Sequence, residues 1–200
     1  MGTTIEKLFT EMPAEFAPVL SKLRNWDKWP LFYHYVQTLN RDALYTSRIH
    51  GYAHIERVIL YGGLIALHEG CNEEDIKLLL TSCSYHDIGR INDMVDDSHG
   101  ARSAEKVPSL VDFTGEDLAI IQASIKAHSV DDSLIDKIIK DFNISDTKRA
   151  QLIAKMLKDA DALDRVRVNA LDPSYLRFEY SRQYIDFSVA LCKYYASLNE

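Results

Sequence analysis

At 200 residues the chain is long enough for one domain with a sizeable core and no need of disulfides. A net charge of −7 and a pI near 5.5 speak against a sequence-independent nucleic-acid binder, which needs a basic stripe, but leave room for a small anionic substrate at a locally positive site. Three widely spaced cysteines, Cys71, Cys83 and Cys192, fit neither a disulfide framework nor a zinc ribbon, and no apolar stretch approaches the length of a membrane span.

The first residues lack the basic start and apolar run of a signal peptide, so a reduced, cytoplasmic setting is expected. Helical periodicity dominates from there, and nothing alternates long enough for a convincing strand. Residues 1–44 read as two or three helical pieces broken at Pro13, Pro18 and Pro30. "IERVILYGGLIALHEG" carries a helical apolar face and stops at Gly70, a C-cap. Asn72 caps the next start, with Glu73, Glu74 and Asp75 in the first turn. That helix takes Ile76, Leu78, Leu79, Leu80 and Cys83 towards His86.

Ser98 is expected to cap a helix through Ala104. "TGED" at Thr114–Asp117 reads as a capping box with Asp in place of Glu, opening a helix with Ile120, Ile121, Ile125 and His128. Ser145 is expected to cap another, running to about Ala160. Asp172-Pro173-Ser174 restarts the chain for an aromatic C-terminal helix or helix pair, Tyr175 to Leu198. Its Tyr and Phe residues are assigned to the core, with nucleobase stacking or packing against a second copy as alternatives. The expectation is an all-α single domain of roughly eight to ten helices, with 1–44 packed on a core of 45–170 and 171–200 closing it.

Of the seven histidines, His54, His86, His99 and His128 lie near ends of predicted helices, as do Asp87 and Asp161. Helix ends can converge on one point while their apolar faces build the core around it. Imidazole and carboxylate together suit one or two divalent transition ions, Mn, Fe, Co, Ni or Zn. Six such groups exceed the three protein ligands of a catalytic zinc and suit two metals with one bridging carboxylate. Two divalent ions against two carboxylates leave a charge of about +2, which attracts phosphate and turns a bridging water into hydroxide near neutral pH.

"HGYAHIERV", "SYHDIGR", "SHGARSAE", "KAHSVDD" and "LKDADALDRVR" resemble the successive motifs of the HD-domain superfamily of metal-dependent phosphohydrolases, over about residues 45–170. A bare His-Asp pair is unspecific; the upstream His and the later Ala-Asp make the resemblance strong, and His99 and His128 match the members that hold two metals. The resemblance implies an all-α fold in which His54, His86, Asp87 and Asp161 bind a first metal. Asp87 then bridges to a second, completed by His99 and His128, and acts in catalysis as the ligand that holds the activated hydroxide. The Ala-Asp match selects Asp161, leaving Asp159 and Asp164 behind the ligands or as caps. The implied reaction is hydrolysis of a phosphate monoester or phosphodiester, often of a nucleotide. One branch of the superfamily uses a mixed-valent di-iron centre to activate oxygen on similar ligands. That reading and a non-catalytic nucleotide-binding sensor stay open. His128 is followed by Ser129, and the Gly-Tyr-Pro motif of the cyclic-dinucleotide phosphodiesterases is absent, which speaks against cyclic di-GMP.

Four further residues are candidates for binding substrate. His50 lies four before His54 and on a helix would share its face. Arg57, Arg90 and Lys158 each stand three residues from a ligand and can point a positive charge at phosphate, with ordinary ion pairing as the alternative. Arg102 is a weaker candidate. The acidic loop with Asp93, Asp96 and Asp97 reads as a solvated turn, or as a source of a general acid or of an acceptor for a ligand histidine. His34 and His68 are assigned to structure or surface. The expected partner is a small anionic phosphate-containing substrate, without membrane or nucleic acid; a homodimer stays open.

Overall fold

The computed structural model describes residues 4–198, and all regular structure among them is helical. The outermost residues of the first and last segments, 1–3 and 199–200, lie outside the described residues. Eleven α-helices follow in order: α1 Thr4–Glu11, α2 Ala17–Arg24, α3 Trp29–Thr38, α4 Tyr52–Glu69, α5 Glu73–Tyr85, α6 His99–Lys106, α7 Gly115–His128, α8 Ile135–Asp141, α9 Thr147–Leu163, α10 Glu179–Arg182 and α11 Ile185–Ser197. The count exceeds the expected eight to ten because α8 was not anticipated. Its Ile135, Ile138 and Ile139 are buried at i, i+3, i+4 spacing, and Asp131 starts the turn before it by accepting from Ser133 N.

Helix α4 is the axis of the fold. Every residue from His54 to Ala66 is buried, so this stretch of the helix has no solvent face. It packs on α5 and α9, while α7 packs on α9, α5 and α6. Leu78, Leu79 and Leu80 of α5 are fully buried, each contributing about 1.5–3 kcal/mol. Helices α1–α3 cover one side of α4, and Phe16, Leu20, Leu23 and Phe32 close the core there. Tyr184, Phe187 and Tyr195 of the C-terminal segment are buried, and Phe187 and Tyr194 pack edge-on against Phe16, in agreement with a core role for most of these aromatics. Cys71 and Cys83 are buried as small hydrophobes, and burial pushes the Cys71 thiol up to about 12.

The helix boundaries show which capping signals operate. Gly70 ends α4 in the left-handed region at φ 64°, and Asn72 Oδ1 accepts from Asp75 N at 2.8 Å, both as read from the sequence. Three other caps differ. Ser98 and Thr114 occupy N-cap positions but make no side-chain cap bond. Asp146, not Ser145, caps α9 by accepting from Arg149 N, and α9 runs on to Leu163. The "TGED" box is not formed because its acids are engaged elsewhere. Glu116 accepts from Ser145 N and Asp146 N, and Asp117 pairs with Arg149. These contacts tie α7 to the start of α9.

Candidate metal centre

Five chain segments end at one point. His54 sits in the first turn of α4, His86 and Asp87 directly follow α5, His99 opens α6, His128 closes α7, and Asp161 lies in the last turn of α9. Helix ends have orphan backbone carbonyls, and the ligand histidines use them. His86 Nδ1 donates to Cys83 O at 2.9 Å and His128 Nδ1 to Ile125 O at 2.5 Å, each three residues back in a terminal turn. His99 Nδ1 donates to Asp96 O in the loop before α6. His54 Nδ1 donates instead to the carboxylate of Asp164, at 2.7 Å.

These bonds fix the tautomer. A carbonyl or carboxylate oxygen only accepts, so each Nδ1 carries the proton and each neutral ring presents a lone pair at Nε2. The Nε2 atoms face one another in pairs: His54 and His86 at 3.1 Å, His99 and His128 at 2.8 Å. Asp87 lies between the pairs. Its Oδ2 is 3.5 Å from His54 Nε2 and 3.8 Å from His86 Nε2, while Oδ1 is 3.0 Å from His99 Nε2 and 3.6 Å from His128 Nε2. Asp161 Oδ1 joins the first pair, 3.4 Å from His54 Nε2 and 3.8 Å from His86 Nε2. It is the most exposed of the six side chains at 24%. Two three-residue groups sharing Asp87, namely His54–His86–Asp87 and Asp87–His99–His128, can each hold a metal ion.

The donor set fits divalent metal on an observation independent of any motif. Asp87 Oδ1 is buried without a hydrogen bond, although two imidazole nitrogens and Arg90 Nε at 2.9 Å crowd it. Lone pairs face lone pairs here, and a cation between them removes the conflict. The electrostatics favour ligand forms. Burial lowers the His86 imidazole to about 3, keeping it neutral. Burial alone would raise the carboxyls of Asp87 and Asp161, but positive charge within the cluster, carried by protons on the imidazoles or by a metal ion in their place, outweighs it and holds both below the usual carboxylate range. Stripping divalent metal from protein loaded at about a hundred times its Kd removes about 2.7 kcal/mol, a fall of roughly 5–10 °C in Tm. Scanning fluorimetry with chelator, then with metal restored, checks this; an unmoved Tm counts against a metal in the cluster.

The candidate substrate residues separate. His50 and Arg90 line a cavity of about 490 Å³ into which His99, His128 and Asp161 also face. His50 does not share a helix face with His54, because α4 begins at Tyr52. It lies in the preceding turn, where Ser47 Oγ accepts from Ile49 N and His50 N. Its Nδ1 meets Asp93 Oδ1 at 2.9 Å. Arg57 is a correction. It is buried, gives Nε and Nη2 to Asp164 at 2.5 and 2.9 Å and lies over the Tyr195 ring, so it acts behind His54 and does not face the cavity. Lys158 lines a neighbouring cavity of about 410 Å³, which His128 and Asp161 also border, but its ammonium is engaged with protein groups. Its Nζ donates to Ala127 O and Val130 O and pairs with Asp132, so its charge is spent on the C-terminus of α7 beside His128. Arg102 is likewise committed, to Asp96 and Gly89 O.

Asp164 lies behind the ligands as expected, and Asp159 instead accepts from Arg177 N and Phe178 N, pinning the C-terminal segment to α9. The acidic loop is tied down by its bonds: Asp93 to His50 and Ser47, Asp96 to Arg102, and Asp97 O to Ser129 Oγ. Two glycines permit this approach. A Cβ on Gly89 would lie 2.5 Å from His99 O, and one on Gly100 would lie 2.8 Å from Ile125 O. His34 and His68 are exposed and remote from the cluster, with His68 bonded to Tyr184 Oη. Unanticipated cavity residues are Arg165 and Arg167 on the 3-10 turn Asp164–Val168. Alternating arginines just past the "DADALD" helix end were the available signal.

A helical bundle that turns four imidazoles and two carboxylates onto one point defines an all-α protein with His/Asp clusters able to hold metal. The HD domain model matches residues 51–166, and the chain belongs to the HD-domain superfamily of metal-dependent phosphohydrolases. No curated protein and no solved structure matches the chain.

Proposed function

We propose that this protein hydrolyses a phosphate monoester or phosphodiester, of which nucleotides are one class, at a dinuclear metal site. The observation that carries the reading is the division of Asp87, with each carboxylate oxygen turned to a separate histidine pair. His54, His86, Asp87 and Asp161 would hold one ion, and Asp87, His99 and His128 the other. Bound divalent ions supply Lewis-acid polarisation of the phosphate and acidification of water. Asp87 orients both ligand groups and supplies negative charge. Arg90, on the cavity wall, steadies charge that grows on the phosphoryl oxygens. His50, held by Asp93, contacts the substrate. Water oxygen bonds to phosphorus, the P–O ester bond breaks, and a proton goes to the leaving oxygen.

The test is phosphate release from a panel of nucleotides and simple esters. It uses protein reconstituted separately with Mn, Fe, Co, Ni and Zn, under anaerobic conditions, with metal content measured per chain. Hydrolysis without oxygen and about two equivalents of metal support the reading. Activity that needs iron, reductant and O₂ replaces it with oxygen activation. Nucleotide binding without bound metal replaces it with a sensor.

A further inference from the structure

The groove past the metal cluster has two arms. One is the cavity that contains His50 and Arg90; the other, of about 410 Å³, contains Tyr175 and Arg177. His128, Ser129, Asp161 and Arg165 line both, so the arms meet at the cluster.

Arg165 differs from its neighbours at this junction. Arg90 lies against Asp87, Arg167 donates to Ile49 O, and Arg177 is paired with Asp132 and Asp159. Arg165 is exposed, and its guanidinium has no hydrogen bond or ion pair among the described residues beyond a Coulombic pull on Asp172. In a chain of net charge −7, an uncommitted guanidinium that lines both arms is a prepared anion contact.

Tyr175 differs from the other C-terminal tyrosines in the same way. Tyr184 and Tyr195 are buried, and Tyr180 stacks on His68, but Tyr175 is 63% exposed and has no ring neighbour among the described residues. Its backbone is nevertheless fixed. Tyr175 N donates to Asp172 O, its carbonyl accepts from Arg177 Nη1, and the next residue, Leu176, is buried. A rigid mount with an exposed ring is the form of a stacking platform.

We propose that Arg165 and Tyr175 form a specificity subsite for the second substituent of a phosphodiester. Arg165 holds anionic oxygen at the junction, and Tyr175 packs against a flat ring in the second arm. A terminal monoester fills only one arm. This rests on the phosphohydrolase reading above.

The experiment compares bis(p-nitrophenyl) phosphate with p-nitrophenyl phosphate, using metal-loaded protein, for both kcat/KM and binding by calorimetry. The wild type should favour the diester. Tyr175→Ala should lower the diester-to-monoester ratio about tenfold, mainly through KM, the size of one lost stacking contact. Arg165→Ala, at the junction both esters share, should lower kcat/KM for both, with Arg165→Lys recovering part. Circular dichroism confirms that each variant is folded. A wild type that favours the monoester, a ratio unmoved by Tyr175→Ala, or kcat/KM unmoved by Arg165→Ala overturns the subsite while leaving the phosphohydrolase reading intact. If no ester is hydrolysed with any metal, that reading fails and binding decides. Tighter diester binding lost in Tyr175→Ala supports the subsite, and equal binding of the two esters overturns it.

Discussion

Replacing Asp87 by Ala should abolish metal retention and hydrolysis together. Both carboxylate oxygens face ligand nitrogens, so one substitution removes a donor from each half of the cluster. It also removes the negative charge nearest to where two cations would sit. Loss of a partner behind a ligand lowers affinity or activity roughly 10–100-fold, so loss of a shared ligand should exceed that, at least about a thousandfold in kcat/KM. Asp87→Asn is the sharper variant. It keeps the volume and one carbonyl-type oxygen but not the charge, and should retain at most one weakly bound ion. His99→Ala should spare the first group and affect the second, which makes it the natural comparison. Metal analysis after gel filtration and a single-substrate assay decide the matter. An Asp87→Asn protein that keeps two equivalents and full activity would remove Asp87 from the mechanism.

What the sequence discloses and what it withholds divide along a physical line. The residues brought together at the cluster were legible through the resemblance of their motifs to the HD-domain superfamily, and in part through their places near predicted helix ends. Gly70 and Asn72 frame the start of α5, whose apolar run ends at His86, and the Ala-Asp at the end of α9 marks Asp161. The commitments of charged side chains were not legible, because their partners are distant in sequence. Arg57 finds Asp164 107 residues away, and Lys158 finds carbonyls at Ala127 and Val130. From the chain alone, both looked free to reach a phosphate. The "TGED" cap failed for a related reason: Asp117, positioned to complete a box in α7, is taken by Arg149 at the start of α9, 32 residues on. Tertiary partners override a local capping preference worth only about 1 kcal/mol. His50 shows the limit of spacing arguments, since a four-residue interval means a shared face only if the helix has already begun.

Asp164 should matter for stability and for metal binding by separable routes. It is fully buried, accepts a forked pair of bonds from Arg57, and accepts from His54 Nδ1 with the same Oδ2 that binds Arg57 Nη2. Burial would push its carboxyl up, but Arg57 and His54 hold it below its ordinary value, so it is ionised. Asp164→Ala leaves the Arg57 guanidinium buried without its counter-charge, which costs about 3–5 kcal/mol. For a chain of this size that corresponds to a fall of roughly 6–20 °C in Tm. The same substitution frees the His54 ring to rotate and change tautomer, and should weaken metal binding roughly 10–100-fold. Adding Arg57→Leu removes the stranded charge as well. Replacing both ends of a buried pair by apolar groups is close to neutral, so the double variant should regain much of the lost Tm. It cannot regain metal affinity, because His54 Nδ1 still lacks its acceptor. Thermal melts without metal, alongside metal titrations, separate the two effects. If the double variant recovers affinity along with stability, Asp164 serves the fold alone and His54 does not depend on it for orientation.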